Sequence, residues 1–344
     1  MVHQVETMAY AGDVPWHGLG KAVSSEMTPE EMLVEAGLNW TVSKRPSYTT
    51  NSPDVMNLLD PTGEANFLHV PDHFHLVRDS DNTILSSCGD KYEPFQNHEV
   101  MDFFKRFTDA GEMQMETAGS LRNGKDIWGL AKLSEKFAVT LPGNDKIESY
   151  LLLNSPHVAG TALTVMLTPV RVVCNNTLTM ALKNQTSKFR VLHLQMFDEE
   201  IMRAAEEALG LSSKTMSSFK DAVTLLSKKK ATSEAVGNFV AELFAPNILI
   251  ERGKAANENS LPPIEDELKH TAGKVHEAIY TSPGAELAAA KGTWWGALNG
   301  VTYVVDHESQ ARTEDNSLHS AWFGSGAAKK RKALSLAIDY AQAA

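Results

Sequence analysis

Apolar and polar positions alternate from Met113 to Leu133, with a single break at Asn123-Gly124. An Asn-Gly pair between two alternating runs predicts a β-hairpin, because both residues tolerate the left-handed backbone that a tight turn needs. In the second run Ile127, Gly129, Ala131 and Leu133 share one face, and Trp128, Leu130 and Lys132 share the other. "KIESYLLLNS" predicts a third strand. "GTALTVMLTPVRVVC" predicts a fourth, kinked or bulged at Pro169, since proline cannot donate to a ladder. "NNTLTMALK" then changes to a helical period, with Asn175 or Asn176 as its cap. Leu167 to Lys183 therefore reads as a strand-to-helix junction, with Val170, Val172 and Cys174 directed to the core.

Before this meander the pattern is mixed. "TPEEMLVEAGL" predicts a short helix capped by Thr28, with Glu31 completing a capping box. "FHLVRDSDNTILSSCGD" predicts a hairpin. "NHEVMDFFKRFTDAG" predicts an amphipathic helix, with Asn97 as N-cap and Gly111 as its stop. After it the period is helical, with six candidates: "FDEEIMRAAEEALG", "SSFKDAVTLLSKKK", "SEAVGNFVAELF", "IEDELKHTAGKVHEAIY", "WWGALNGVTYVVDH" and "AAKKRKALSLAIDYA". The expected fold is α+β: an antiparallel β-meander packed with helices. Its organisation is a mixed N-terminal region (1–110), a sheet-plus-helix core (111–195) and a helical C-terminal region (196–344).

Composition excludes more than it selects. A chain of 344 residues with 42% hydrophobic and 22% charged residues can bury a large core. The first residues lack the basic and apolar regions of a secretory signal, and no apolar run is long enough to cross a bilayer. Two distant cysteines, Cys88 and Cys174, fit a reducing cytoplasm rather than a disulfide scaffold. Charge is uneven: Met115 to Gln195 carries nine basic and five acidic residues, a local +4 in a chain of −11.

The candidate chemistry has plain alternatives. Cys174 precedes a predicted helix, where the dipole could activate a thiolate served by His157 or His193; a small buried residue closing the core is the plainer account, and the one expected. His69, His73 and His75 fall within "HVPDHFH", and His73 with His75 would share a strand face, yet no His-Glu-x-x-His or cysteine pair accompanies them. "PWHGLG" lacks the spacing of a phosphate loop; His17 within it is a second enzymatic candidate, while Trp16 reads as a plug. Lys228 to Lys230 end a predicted helix, where the dipole favours cations. Lys329, Lys330, Arg331 and Lys332 stand near a predicted helix start, where it does not, so an anion is one account of them and a solvated face the other. In the meander Arg122, Lys125, Lys132 and Arg171 interleave with Trp128 and Tyr150, a mixture suited to phosphates and stacked bases. A tryptophan within a strand is otherwise a core residue.

Several stretches together are similar to one family: "PWHGLG", "YEPFQN", "ETAGSLRNGKDIWGLAKL", "TPVRVVCNNTL", "TWWGALNGVTYVVDH" and "FGSGAAKKRKAL". In order and over nearly the whole chain they resemble the phage/plasmid-like proteins, the domain of unknown function 932. That resemblance implies carriage by phages, prophages and plasmids. The order of a strand meander followed by helices also resembles the core of single-strand annealing recombinases. The leading expectation is a cytoplasmic protein that binds single-stranded DNA through Arg122, Lys125, Trp128, Lys132, Arg171, Lys329, Lys330 and Arg331, in strand annealing, recombination or replication. The alternatives are an acidic factor that binds a host-defence protein, and a small enzyme using His17 or Cys174. No cofactor, metal or membrane is expected. The expected partners are single-stranded DNA, replication or recombination proteins of host or phage, and further copies of the chain.

Overall fold

The computed structural model describes residues 5–12, 19–50, 67–109, 111–174, 176–177, 188–193, 212–244, 266–308 and 317–343. Its larger sheet is built from β1 (Val5–Ala11), β2 (Lys21–Val23), β6 (Met113–Leu121), β7 (Asp126–Leu133), β8 (Val139–Leu141), β9 (Asp145–Pro156), β10 (Ala162–Arg171), β11 (Asn176–Thr177) and β12 (Lys188–Leu192). The order is β11-β10-β9-β7-β6-β1-β2, with β12 also on β10 and β8 also on β9. All these pairs are antiparallel except β1 with β2. A smaller antiparallel sheet runs β3 (Val42–Thr50), β4 (Phe67–Arg78), β5 (Thr83–Gly89). With the helices below, the fold is α+β, as the pattern predicts.

The Asn123-Gly124 turn forms as expected: φ is 57° and 80° at the two residues, and Lys125 N donates back to Arg122 O. Helix α1 (Pro29–Glu35) carries the full capping box, with Glu31 N donating to Thr28 Oγ1 at 3.2 Å and Thr28 N to Glu31 Oε2 at 2.9 Å. Helix α2 (Asn97–Asp109) ends at Gly111, whose φ of 68° closes the last turn. Its cap differs from expectation. Val100 N donates to Gln96 O, and Gln96 N to Glu99 Oε2 at 2.8 Å, so Gln96 occupies the cap. Asn97 is thereby free to reach backward.

The helical region contains α3 (Ser212–Lys228), α4 (Ser233–Phe244), α5 (Asp266–Thr281), α6 (Trp294–Tyr303), α7 (Ser317–Trp322) and α8 (Ser325–Ala343). The candidate helix at 197–210 lies outside the described residues. Helix α6 is apolar around its circumference and buried from Trp294 to Thr302, as a central helix must be. One continuous core joins helices α1 through α6, and α8, to Ile127, Ala131, Leu151, Leu153, Leu163 and Val165 on one sheet face. A second cluster on the opposite face joins Met8, Tyr10, Trp128, Leu152 and Met166 to Trp322 and Phe323. β1 and β2, from the N-terminal region, thus extend the sheet of the central region.

The junction after β10 is corrected. The strand passes Pro169 without a register shift, because Pro169 falls between the stretches paired with β12 and β11. It stops at Arg171, and Val172–Cys174 form one 3₁₀ turn that leaves Val172 and Val173 about 40% exposed (42% and 40%). The chain then folds back as β11 rather than starting a helix at Asn176. The remainder of "NNTLTMALK", from 178 on, lies outside the described residues.

Candidate nucleic-acid interface

The eight residues expected to meet DNA do not line one surface. Trp128 is wholly buried, its Nε1 donates to Thr117 Oγ1 at 3.1 Å, and its ring covers Gly119, where a Cβ would come within 2.2 Å of it. Arg171 is also wholly buried. Its Nε donates to Asp145 Oδ1 at 2.8 Å and its Nη2 to Asp145 Oδ2 at 2.6 Å and Gly284 O at 2.9 Å. Trp295 Nε1 donates to the same Asp145 at 2.9 Å, so this carboxylate ties β9 to β10 and α6. Lys330 is 1% exposed and donates to Asp306 Oδ1 at 2.6 Å; burial holds its ammonium below the usual value, against the pull of Asp306.

The other five are nearer solvent. Arg122 pairs with buried Asp126. Lys132 pairs with Glu148 at 2.8 Å, and Lys146 and Tyr150 bind the same carboxylate. Burial alone would raise the Glu148 carboxyl, but these three hydrogen bonds hold it below its ordinary value. Lys125 is half-buried at the hairpin turn. Lys329 is exposed beside the Phe244 ring, and Arg331 is half-buried on α8. Four of the nine cations of the central segment, Arg122, Lys132, Lys146 and Arg171, are therefore engaged by carboxylates of that same segment, which a charge count along the chain does not reveal.

His17 and the Cys174 side chain lie outside the described residues. Cys88 is buried, and burial pushes its thiol up, away from thiolate chemistry. His75 is bridged by two serines across the small sheet, Ser47 Oγ to Nε2 and Ser87 Oγ to Nδ1, each at 3.1 Å. His73 Nδ1 lies 2.9 Å from Pro71 O, and His69 packs edge-on to Tyr48. Among the described residues no three histidine, cysteine or acidic side chains gather as metal ligands.

Two features were missed. The first is the work of "YEPFQN". Tyr92 and Phe95 sandwich the His193 ring, with centroids at 4.9 and 4.3 Å. Gln96 exchanges two hydrogen bonds with the Val42 backbone, each 3.0 Å, as a neighbouring strand would. Asn97 Nδ2 donates to Leu38 O and Trp40 O, and its Oδ1 lies 2.9 Å from His157 Nε2. With the Asn97 oxygen as acceptor, His157 carries its proton on Nε2.

The second is the outer half of the β3–β4 ribbon. β5 pairs with His73–Arg78 of β4, so among the described residues Tyr48–Thr50 and Phe67–His69 pair with each other alone. A register shift separates this half from the base, with Asp72 at φ 58°. Tyr48 is 57%, Phe67 61% and Leu68 50% exposed. Arg45, pairing with Asp79 at 3.0 Å, stands at the base. The signal in the sequence was the lack of any buried period in Arg45 to Thr50.

A family model described as Domain of unknown function (DUF932) matches residues 84–322. No curated protein and no solved structure matches the chain.

Proposed function

The chain belongs to the DUF932 family, and we propose that it binds single-stranded DNA through the outer half of the β3–β4 ribbon, as a phage or plasmid accessory in annealing, recombination or replication. One observation carries this reading: Tyr48 and Phe67 offer exposed aromatic faces on a ribbon with the imidazole of His69 and the guanidinium of Arg45. Stacking on such rings contributes roughly 1–3 kcal/mol per base and tolerates any base, while the Arg45 guanidinium, paired with Asp79 in the free protein, would exchange that carboxylate for a phosphate. Trp128, buried, has no part in it. The mobile-element setting rests on the family resemblance of the quoted motifs. The action is positioning and charge neutralisation without a covalent step.

Fluorescence anisotropy with a labelled oligonucleotide tests it. Wild type binds at low salt, with a log–log slope near −0.7 per phosphate contact. Tyr48→Ala and Phe67→Ala each weaken binding by roughly 1–3 kcal/mol with little change in slope. Absence of binding at low salt overturns the reading. The apolar Leu68, 50% exposed, favours the competing one, a protein partner on the same arm. Salt-insensitive capture of a host protein, abolished by the ribbon variants, would establish that instead.

A further inference from the structure

An open cleft of about 490 Å3 lies between the Glu135–Phe137 turn and α3, away from the ribbon residues discussed above. Phe137, Val139 and Met216 give it apolar walls, and Lys136 and Lys220 supply two cations. Met216 and Lys220 are four residues apart on α3 and so share a face. Lys136, 57% exposed, lies 5.1 Å from the Phe137 ring centroid and pairs with the exposed Glu112 at 3.0 Å. Lys220 is exposed and makes no ion pair among the described residues. Ser149 Oγ donates to Phe137 O at 2.8 Å and lies 3.6 Å from Met216 Sδ, fixing both walls to the sheet.

We propose that this cleft binds a mononucleotide, with its phosphate between Lys136 and Lys220 and its base against Phe137 and Met216. The volume suits a ligand of that size. Inorganic phosphate would satisfy the two ammonium groups and leave the apolar walls wet. An apolar ligand would fill the walls and leave both cations unused. A nucleotide does both, since a thioether and a phenyl ring each pack well on a base. Lys136 now covers one face of its neighbouring ring; transfer of its ammonium from Glu112 to the phosphate uncovers that face. The site is separate from the ribbon, so the two proposals fail independently.

Calorimetric titration of the full chain with dTMP, at low ionic strength, tests the site. The expected result is one saturable site, weakened at least tenfold by the double variant Lys136→Ala, Lys220→Ala. Tyr48→Ala, Phe67→Ala should leave it unchanged. Both lysines are exposed, so the double variant should melt with wild type. Inorganic phosphate should compete with dTMP in the same titration, with an affinity at least tenfold weaker than that of dTMP. Undiminished binding by the lysine variant, no binding at millimolar dTMP, or equal competition by phosphate each overturns the assignment.

Discussion

Lys330 and its neighbours Lys329, Arg331 and Lys332 look alike along the chain, yet only Lys330 is fully turned inward. The one-turn π-helix Val304–Glu308 brings Asp306 to face it, 2.6 Å away. Neither side chain is stable alone in such surroundings, because an isolated buried charge carries its whole desolvation cost. Lys330→Ala should therefore destabilise the protein by roughly 3–5 kcal/mol, and Lys329→Ala by less than about 0.5 kcal/mol. Replacing the pair together, Lys330→Met with Asp306→Leu, should recover most of the loss, since an apolar pair needs no ionic partner. Urea unfolding curves decide it: equal midpoints for the two single alanine variants would put Lys330 on the surface. At this scale the run was legible as cationic, but which cation is buried depends on Asp306, 24 residues away and aligned by a helix irregularity that no periodic pattern encodes.

Among elements, the hairpin at Asn123-Gly124, the capping box of α1 and the apolar α6 were legible because each is written in local chemistry. The end of β10 was not. Val170, Val172 and Cys174 continue the alternation of the strand, yet the strand ends at Arg171, the residue bound to Asp145. Asp145 holds Arg171 in two parallel hydrogen bonds, and the chain beyond is released into a turn. Val172→Asp, which would wreck a buried strand, should accordingly change stability by less than about 0.5 kcal/mol. Arg171→Met should cost roughly 3–5 kcal/mol, because it leaves Asp145 buried without its cation. A thermal melt in which Val172→Asp is the more damaged of the two would restore the longer strand. The DNA-facing tryptophan was misplaced for a related reason: alternation predicts two faces for β7, but not that both are covered, and Trp128 is packed by Trp322 from a helix almost 200 positions later.

At the scale of the molecule, the two sheets meet around two buried histidines. His157 follows β9 and is fastened to Asn97 at the start of α2 and packed on Trp40, which precedes β3. His193 follows β12 and is held between Tyr92 and Phe95, its carbonyl accepting from Glu93 N at 2.9 Å. Among the described residues His157 Nδ1 and both His193 ring nitrogens have no hydrogen-bond partner, so no acceptor there waits to steady an added proton. Burial pushes His157 down to about 3, helped by repulsion from His193, and pushes His193 down to about 4. In the unfolded chain each would titrate near 6.5. Below that pH the unfolded state binds more protons than the folded one, so stability falls as pH falls. The contribution is complete above about pH 6.5 and is lost progressively toward the folded values, at up to about 1.4 kcal/mol per pH unit for each ring. Carboxylates also lose their ion pairs on acidification, so the comparison must be between variants. His193→Phe keeps an aromatic ring between Tyr92 and Phe95 and removes one titration. Urea midpoints from pH 7.5 to 5 should fall less steeply for His193→Phe than for wild type, while the two proteins differ least in slope above pH 7. Parallel curves across that range would mean that His193 is reached by water, and that the joint between the sheets is open there.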